Sequence, residues 1–175
     1  MLVPVFVIIS LLVLLPLIIA LFTRKEYRIE REIEIKAPEE EVFTYIKQLK
    51  NQDNFNKWVM TDPDMKREFK GTDGEVGFIY GWNGNKKAGE GELEIVSIEE
   101  NKSVDHEIRF VRPFTSIAQA RMTTEFQGQN RTRVTWSNES ELKYPMNLMV
   151  SMIEKMLAKD MDASLLNLKN ILEKE

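Results

Sequence analysis

The hydrophobic and polar positions of the chain change period three times, and each period predicts a different kind of element. Leu2 to Phe22 carries no charged side chain and is broken only by Pro4, Ser10, Pro16 and Ala20. At roughly 1.5 Å per residue, 21 helical residues span about 31 Å, close to the thickness of bilayer hydrocarbon. Leu, Ile, Val and Phe each favour insertion by about 0.3–0.6 kcal/mol, and Pro16 is tolerable in lipid. The run predicts a single transmembrane helix over residues 2–22, within an anchor of residues 1–23, with residues 24–175 as one domain. A cleaved signal peptide fits less well, because no Lys or Arg precedes the run and no small-x-small cleavage site follows it.

After the run the period becomes two. Tyr27, Ile29, Arg31, Ile33 and Ile35 share one face, and Arg28, Glu30, Glu32, Glu34 and Lys36 the other. This alternation predicts a half-buried strand. Pro38 and Glu39-Glu40-Glu41 then open a helix whose apolar stripe is Val42, Phe43, Ile46 and Leu49. A second short helix or turn-rich link is expected over Asn51 to Trp58. From Met65 the period of two returns, with Met65, Arg67 and Phe69 in one strand and Val76, Phe78, Tyr80 and Trp82 in the next. Ala88 to Ile98 follows, slipping between Ile95 and Val96 as a bulge would make it. Val104, His106, Ile108 and Phe110 share a face, as do Ala118, Ala120, Met122, Thr124 and Phe126, and then Val134, Trp136 and Asn138. Turn residues separate these runs at Gly71–Gly74, Asn83–Asn85, Glu100–Ser103 and Gly128–Asn130.

From Tyr144 to Glu175 the period is helical. Met149, Ile153, Met156 and Leu157 lie on one side, and Met161, Leu165, Leu168 and Leu172 continue the stripe. Pro145 suits a first helical turn. The predicted order is a strand, two short helices, six strands in a meander and a long helix. This is an α+β domain: one antiparallel sheet, apolar on one face, with the C-terminal helix as its cover.

Composition narrows the function. The chain is 43% hydrophobic and 30% charged, as a globular protein is. It has no cysteine, which excludes disulfides, thiolate metal sites and cysteine nucleophiles, and a single histidine, His106. The net charge of −4 argues against nucleic acid as a partner. Arg24, Lys25, Arg28, Arg31 and Lys36 follow the apolar run and no Lys or Arg precedes it, so the positive-inside rule predicts a single-pass protein of the cell membrane with a cytoplasmic domain. No phosphate loop, nucleotide fingerprint, nucleophile elbow or metal-spaced cluster occurs, and no cofactor or metal is expected.

Several stretches, in their order, resemble the START-like (SRPBCC) superfamily of polyketide cyclases, dehydrases, lipid-transfer domains and helix-grip proteins. They are Ala37-Pro38 with Val42-Phe43, Trp58 with Asp62-Pro63-Asp64-Met65, Gly74-Glu75-Val76-Gly77 leading to Trp82, Gly89-Glu90-Gly91, Phe110 with Pro113-Phe114, Thr132 to Trp136, and Leu165 with Asn167-Leu168-Lys169. The resemblance runs from about Tyr27 to Leu172. It implies a seven-stranded antiparallel sheet curled around the long helix, with a cavity between them. The N-terminal apolar run departs from the usual soluble member and argues against a diffusible carrier.

The chemistry expected follows from that cavity. Phe78, Tyr80, Trp82, Phe110, Met122, Phe126 and Trp136 on the inner strand faces, with Met149, Met152, Ile153 and Met156 on the helix, are the candidate wall for a small hydrophobic or amphipathic, lipid-like ligand. Tyr80, Trp82, His106 and Asp160 are the candidate polar contacts. The alternative that the resemblance implies is a polyketide cyclase/dehydrase-type enzyme, with His106, partnered by Tyr80 or Glu90, or a strand carboxylate as the candidate acid–base. Glu90, Glu92 and Glu94 share one strand face and read as a solvated exterior. A third reading is a ligand-free regulatory or protein-interaction module with a filled core.

Overall fold

Seven strands run antiparallel in one sheet: β1 (Glu26–Ile35), β2 (Lys66–Lys70), β3 (Ile79–Asn83), β4 (Glu90–Glu99), β5 (Ser103–Arg112), β6 (Ser116–Phe126) and β7 (Thr132–Glu141). A computed structural model describes residue 12 and residues 14–173. The order across the sheet is β1-β7-β6-β5-β4-β3-β2, so β2 to β7 form the expected meander and β1 closes onto β7. Helices α1 (Glu39–Lys47) and α2 (Gln52–Phe55) separate β1 from β2, and the long α3 (Val150–Leu172) follows β7.

Alternation along each strand sorts the two faces. The outer face is a lattice of opposite charges. Arg109 binds Glu94 at 2.7 Å, Glu107 at 2.8 Å and Glu92 at 3.3 Å, Arg112 binds Glu90 at 2.7 Å, and Arg121 binds Asp105. Such exposed pairs contribute little each, about 0–1 kcal/mol, but they keep this face in water. The Glu90, Glu92 and Glu94 carboxylates are thus spent on arginines.

The inner face is covered in two different ways. Toward the β4–β5 and β6–β7 hairpins it is packed solid: Val42, Ile46 and Phe55 meet Ile35, Met122, Val134, Leu165 and Leu168, while Phe43 and Leu49 meet Phe78, Ile95 and Val104. Toward the β3–β4 and β5–β6 hairpins only the first half of α3 lies over the sheet, and that end is open inside.

Two element boundaries differ from expectation. β3 begins at Ile79, not Val76, because Gly77 takes a left-handed conformation (φ 89°) and leaves Val76 exposed. The expected bulge in β4 is present, with a register shift between Ile95 and Ser97. Pro145 precedes a 3-10 turn, Met146–Met149, and the α-helix itself starts at Val150.

About half of the predicted transmembrane helix, residues 2–11 and 13, lies outside the described residues. Residues 14–22 are helical, and among the described residues no helix is long and apolar enough to cross a membrane. The end of this helical segment is fixed to the domain. The fully buried Asn147 donates from Nδ2 to the carbonyls of Ala20 at 2.7 Å and Thr23 at 2.9 Å, Leu142 N–H donates to Lys25 O at 2.8 Å, and Arg24 pairs with Glu154. One side chain thereby holds the last-turn carbonyl of Ala20, which also accepts the Thr23 N–H at 3.4 Å, and the Thr23 carbonyl just past the helix end.

Candidate ligand-binding site

Under the first half of α3 lies a cavity of about 400 Å³. Its helical wall is Met149, Met152, Ile153, Met156, Leu157, Asp160, Met161 and Ser164, which is the Met-rich stretch of the stripe. The opposing sheet wall comes from Tyr27 of β1, Tyr80 and Trp82 of β3, Leu93 of β4, Ile108 and Phe110 of β5, and Trp136, Asn138 and Ser140 of β7. Trp58, Val59 and Met65 close one side, and Lys86, Lys87, Pro113 and Phe114 stand at hairpin tips around it. The volume and the predominance of apolar lining suit a small-molecule site.

The aromatic part of the wall is set by backbone geometry. Gly91 lies opposite Trp82 and Phe110 in the sheet register. A Cβ there would stand 2.5 Å from the Arg109 carbonyl oxygen and 2.7 Å from the Trp82 ring, so only glycine lets the indole lie flat across β4. Trp82 meets Phe110 edge-on with centroids 5.8 Å apart, and Trp58 tilts against the same Phe110 at 6.1 Å. Both indole N–H groups donate to one acceptor, the Ala88 carbonyl, at 3.1 Å for Trp82 and 3.2 Å for Trp58. The chain's three tryptophans all line this cavity.

The polar groups of the wall are mostly satisfied from within. Tyr27 Oη donates to Asn138 Oδ1 at 3.1 Å, and burial pushes the Tyr27 phenol up to about 12. Tyr80 Oη donates to Asp53 Oδ1 and accepts from Arg67 Nε at 3.1 Å, while Arg67 also pairs with Asp53 at 2.9 Å. Burial first, and the Asp53 carboxylate second, raise the Tyr80 pKa, so its phenol keeps its proton. Ser164 Oγ donates to the Asp160 carbonyl at 2.6 Å and accepts the Lys57 N–H at 2.8 Å. Asp160 lines the cavity from α3.

Of the residues expected on the wall, the structure brings together Tyr80, Trp82, Phe110, Trp136, Met149, Ile153, Met156 and Asp160. Phe78 and Met122 lie on the inner face but within the solid core, 1% exposed each. Phe126 is 62% exposed, since it ends β6 beyond the reach of the covering helices. His106 lies opposite Ile95 and Ala120 and is 2% exposed, and its Nε2 has no hydrogen-bond partner among the described residues. Burial pushes its pKa down to about 4, so it is neutral. Neither expected partner serves it: Tyr80 is held by Asp53 and Arg67, and Glu90 by Arg112. His106 therefore sits behind the wall. Met152, also expected on the helix, lines the cavity too, and Tyr27, Trp58, Leu93, Ile108 and Asn138 are wall residues that the expected set lacks. For Asn138 the signal was visible: a polar side chain on the apolar face of β7, which a buried hydrogen-bond partner explains.

Comparison with known proteins places this geometry. Residues 26–173 match the family described as polyketide cyclase / dehydrase and lipid transport, and the chain belongs to that family, within the START-like superfamily. Among solved structures, norcoclaurine synthase from Thalictrum flavum, in truncated form, is 14% identical, with a TM-score of 0.66 over 87% of this chain and 98% of that one. The same enzyme in complex with dopamine and hydroxybenzaldehyde is 15% identical, with a TM-score of 0.65 over 90% of this chain and 93% of that one. The Aha1 dimer from Colwellia psychrerythraea is 18% identical, with a TM-score of 0.58 over 84% of this chain and 96% of that one. At these identities the likeness is one of fold, a helix-grip sheet with its C-terminal helix. No curated protein sequence matches the chain.

Proposed function

We propose that this protein is a membrane-anchored START-like domain that holds a small hydrophobic or amphipathic, lipid-like molecule between its sheet and α3. The observation that carries the reading is the mainly apolar, partly open cavity of about 400 Å³ under a methionine-rich helix face. Methionines adapt to ligands of varied outline, and burying apolar surface supplies roughly 25 cal/mol per Å² before ordering costs. Trp58, Trp82 and Phe110 would grip the ligand's apolar body, and Asp160 would orient its polar end. The anchor reading rests on the uncharged run over residues 2–22, and the cytoplasmic placement on the basic residues that follow it.

Native mass spectrometry of the full chain extracted from membranes tests this. A recurrent 1:1 adduct that weakens in a Trp82→Ala variant is expected. Protein that is empty in every preparation would overturn the reading in favour of a filled, ligand-free module. An enzymatic reading of the same cavity needs its acid–base group on the wall, where Asp160 is the carboxylate. A chemically altered ligand that disappears in Asp160→Asn would favour that reading instead.

A further inference from the structure

The end of the sheet where the cavity lies differs in charge from the opposite end. β1 and β6 start there, and β3, β5 and β7 finish there, so the β3–β4 tip, the β5–β6 tip and the β7–α3 link gather around the mouth with the end of the N-terminal helical segment. Residues 14–25, 84–89, 112–116 and 142–149 contain no Asp or Glu, yet hold Arg24, Lys25, Lys86, Lys87, Arg112 and Lys143. The link into β2 adds one exposed acid, Asp64; its neighbour Asp62 is buried and accepts the Asn85 N–H at 2.6 Å. The opposite end mixes Asp73, Glu75, Glu99 and Glu100 with Lys102 and Arg131, and Lys102 pairs with Glu99. At the cavity end the strand ends add Glu26, Glu90 and Glu141, and Arg112 and Arg24 are paired with Glu90 and Glu154, which leaves Lys25, Lys86, Lys87 and Lys143 as the cations of the mouth without a salt bridge among the described residues.

The same end exposes large apolar side chains beside those cations. Phe114 stands on the β5–β6 tip, Tyr144 and Leu148 on the β7–α3 link, and Met152 on the first turn of α3, with exposures of 37% to 56%. Aromatic and aliphatic groups flanked by lysines are what a headgroup region accommodates: the rings and chains enter the acyl boundary and the ammonium groups meet phosphates. The attachment of the helical segment removes the freedom to turn away. Asn147 holds the Ala20 and Thr23 carbonyls from within the very link that bears Tyr144 and Leu148, and the same 3-10 turn supplies Met149 to the cavity wall. The linker from helix to β1 is only Thr23 to Lys25.

We infer that the mouth of the cavity is docked on the interface of an anionic bilayer, with Phe114, Tyr144, Leu148 and Met152 inserted and Lys86, Lys87 and Lys143 on the headgroups, so that a ligand passes between membrane and cavity without crossing water. The inference rests on the anchor reading above and adds the orientation and the docking surface. It requires the cavity to open toward lipid and the β2–β3, β4–β5 and β6–β7 tips to point away. The Asn147 clamp is a positioning device: it sets the angle at which the domain meets the membrane.

The absence of native cysteine makes a direct test possible. Spin labels are placed one at a time at Phe114→Cys, Leu148→Cys and, as the control at the opposite end, Thr72→Cys, in the full chain in vesicles of phosphatidylcholine and phosphatidylglycerol. Power saturation with oxygen and with a water-soluble nickel chelate then reports depth. Labels at residues 114 and 148 should be several-fold more accessible to oxygen than to the chelate, the label at residue 72 the reverse, and the contrast should shrink in vesicles without phosphatidylglycerol. Labels at residues 114 and 148 as open to the chelate as that at residue 72 would overturn the docking even if a ligand is found by mass spectrometry. Labels shielded from both reagents would overturn it too, in favour of a protein covering the rim. Inserted labels on a protein that is always empty would leave the docking standing and remove the ligand reading.

Discussion

The two halves of α3 lie on the same sheet and share one apolar stripe, yet they do different work. The second half, through Leu165 and Leu168, is packed into Ile35, Val42, Phe55, Met122 and Val134 with no more than 1% of any of these side chains exposed. The first half, through Met149, Met152, Ile153 and Met156, faces a cavity of about 400 Å³. What separates them is α1, which lies over the inner face at one end of the sheet and is absent from the other. A helix-grip fold thus divides stability from binding along a single helix: well-defined Leu rotamers where volume must be filled, and flexible Met side chains where it must be adjustable.

The comparison can be broken most easily at the solid end. Leu168→Ala removes a fully buried side chain and should cost about 2–5 kcal/mol in urea denaturation while leaving the cavity lining intact. Next in size is an acid dependence from His106. Its folded pKa, about 4, lies below the ordinary 6.5 because burial disfavours the charged form. The unfolded chain therefore binds the proton more readily, so the stability due to neutral His106 is complete above pH 6.5 and is lost as pH falls toward 4. The loss should reach roughly 3 kcal/mol, and His106→Leu should remove that part of the pH profile. A flat difference between the two profiles over this window would contradict the buried, neutral imidazole.

Smaller effects sharpen the cavity end. Gly91→Ala forces a methyl against the Arg109 carbonyl and the Trp82 ring, so it should cost about 1–3 kcal/mol and also shift tryptophan fluorescence as the indole moves. Met149→Ala should cost roughly 1 kcal/mol or less, because one side of this residue has no packed neighbour to lose, and should weaken ligand binding instead. Equal destabilisation by Met149→Ala and Leu168→Ala would mean that the first half of α3 is as tightly packed as the second.

Much of this was legible in the chain. Period-two runs and turn residues gave all seven strands, the β4 bulge and the long helix, and the switch from Met to Leu along the stripe foreshadowed the division of α3. Which inner-face residues reach the cavity was harder to read. Alternation tells which face a side chain takes, but not what covers it. Along β5, His106 is buried in solid core while Ile108 and Phe110 reach the cavity; along β7, Val134 is core while Trp136 and Asn138 are wall. The deciding variable is distance from the β3–β4 and β5–β6 tips, set by strand register and by where α1 lands, both of which are tertiary. Trp58 was missed for the same reason: it comes from a link with no period, and its hydrogen bond to the Ala88 carbonyl and its contact with Phe110 fix it beside Trp82.

The most direct test of the division within α3 is methionine-methyl NMR of the full chain in nanodiscs, titrated with the amphipath recovered with the protein. Met149, Met152, Met156, Met161 and Met65 line the cavity, whereas Met122 sits in the solid core as an internal control. The predicted result is saturable shifts at the cavity methyls with the Met122 methyl unmoved. Shifts spread equally over Met122 and the cavity methyls, or none at Met149 and Met156, would contradict it.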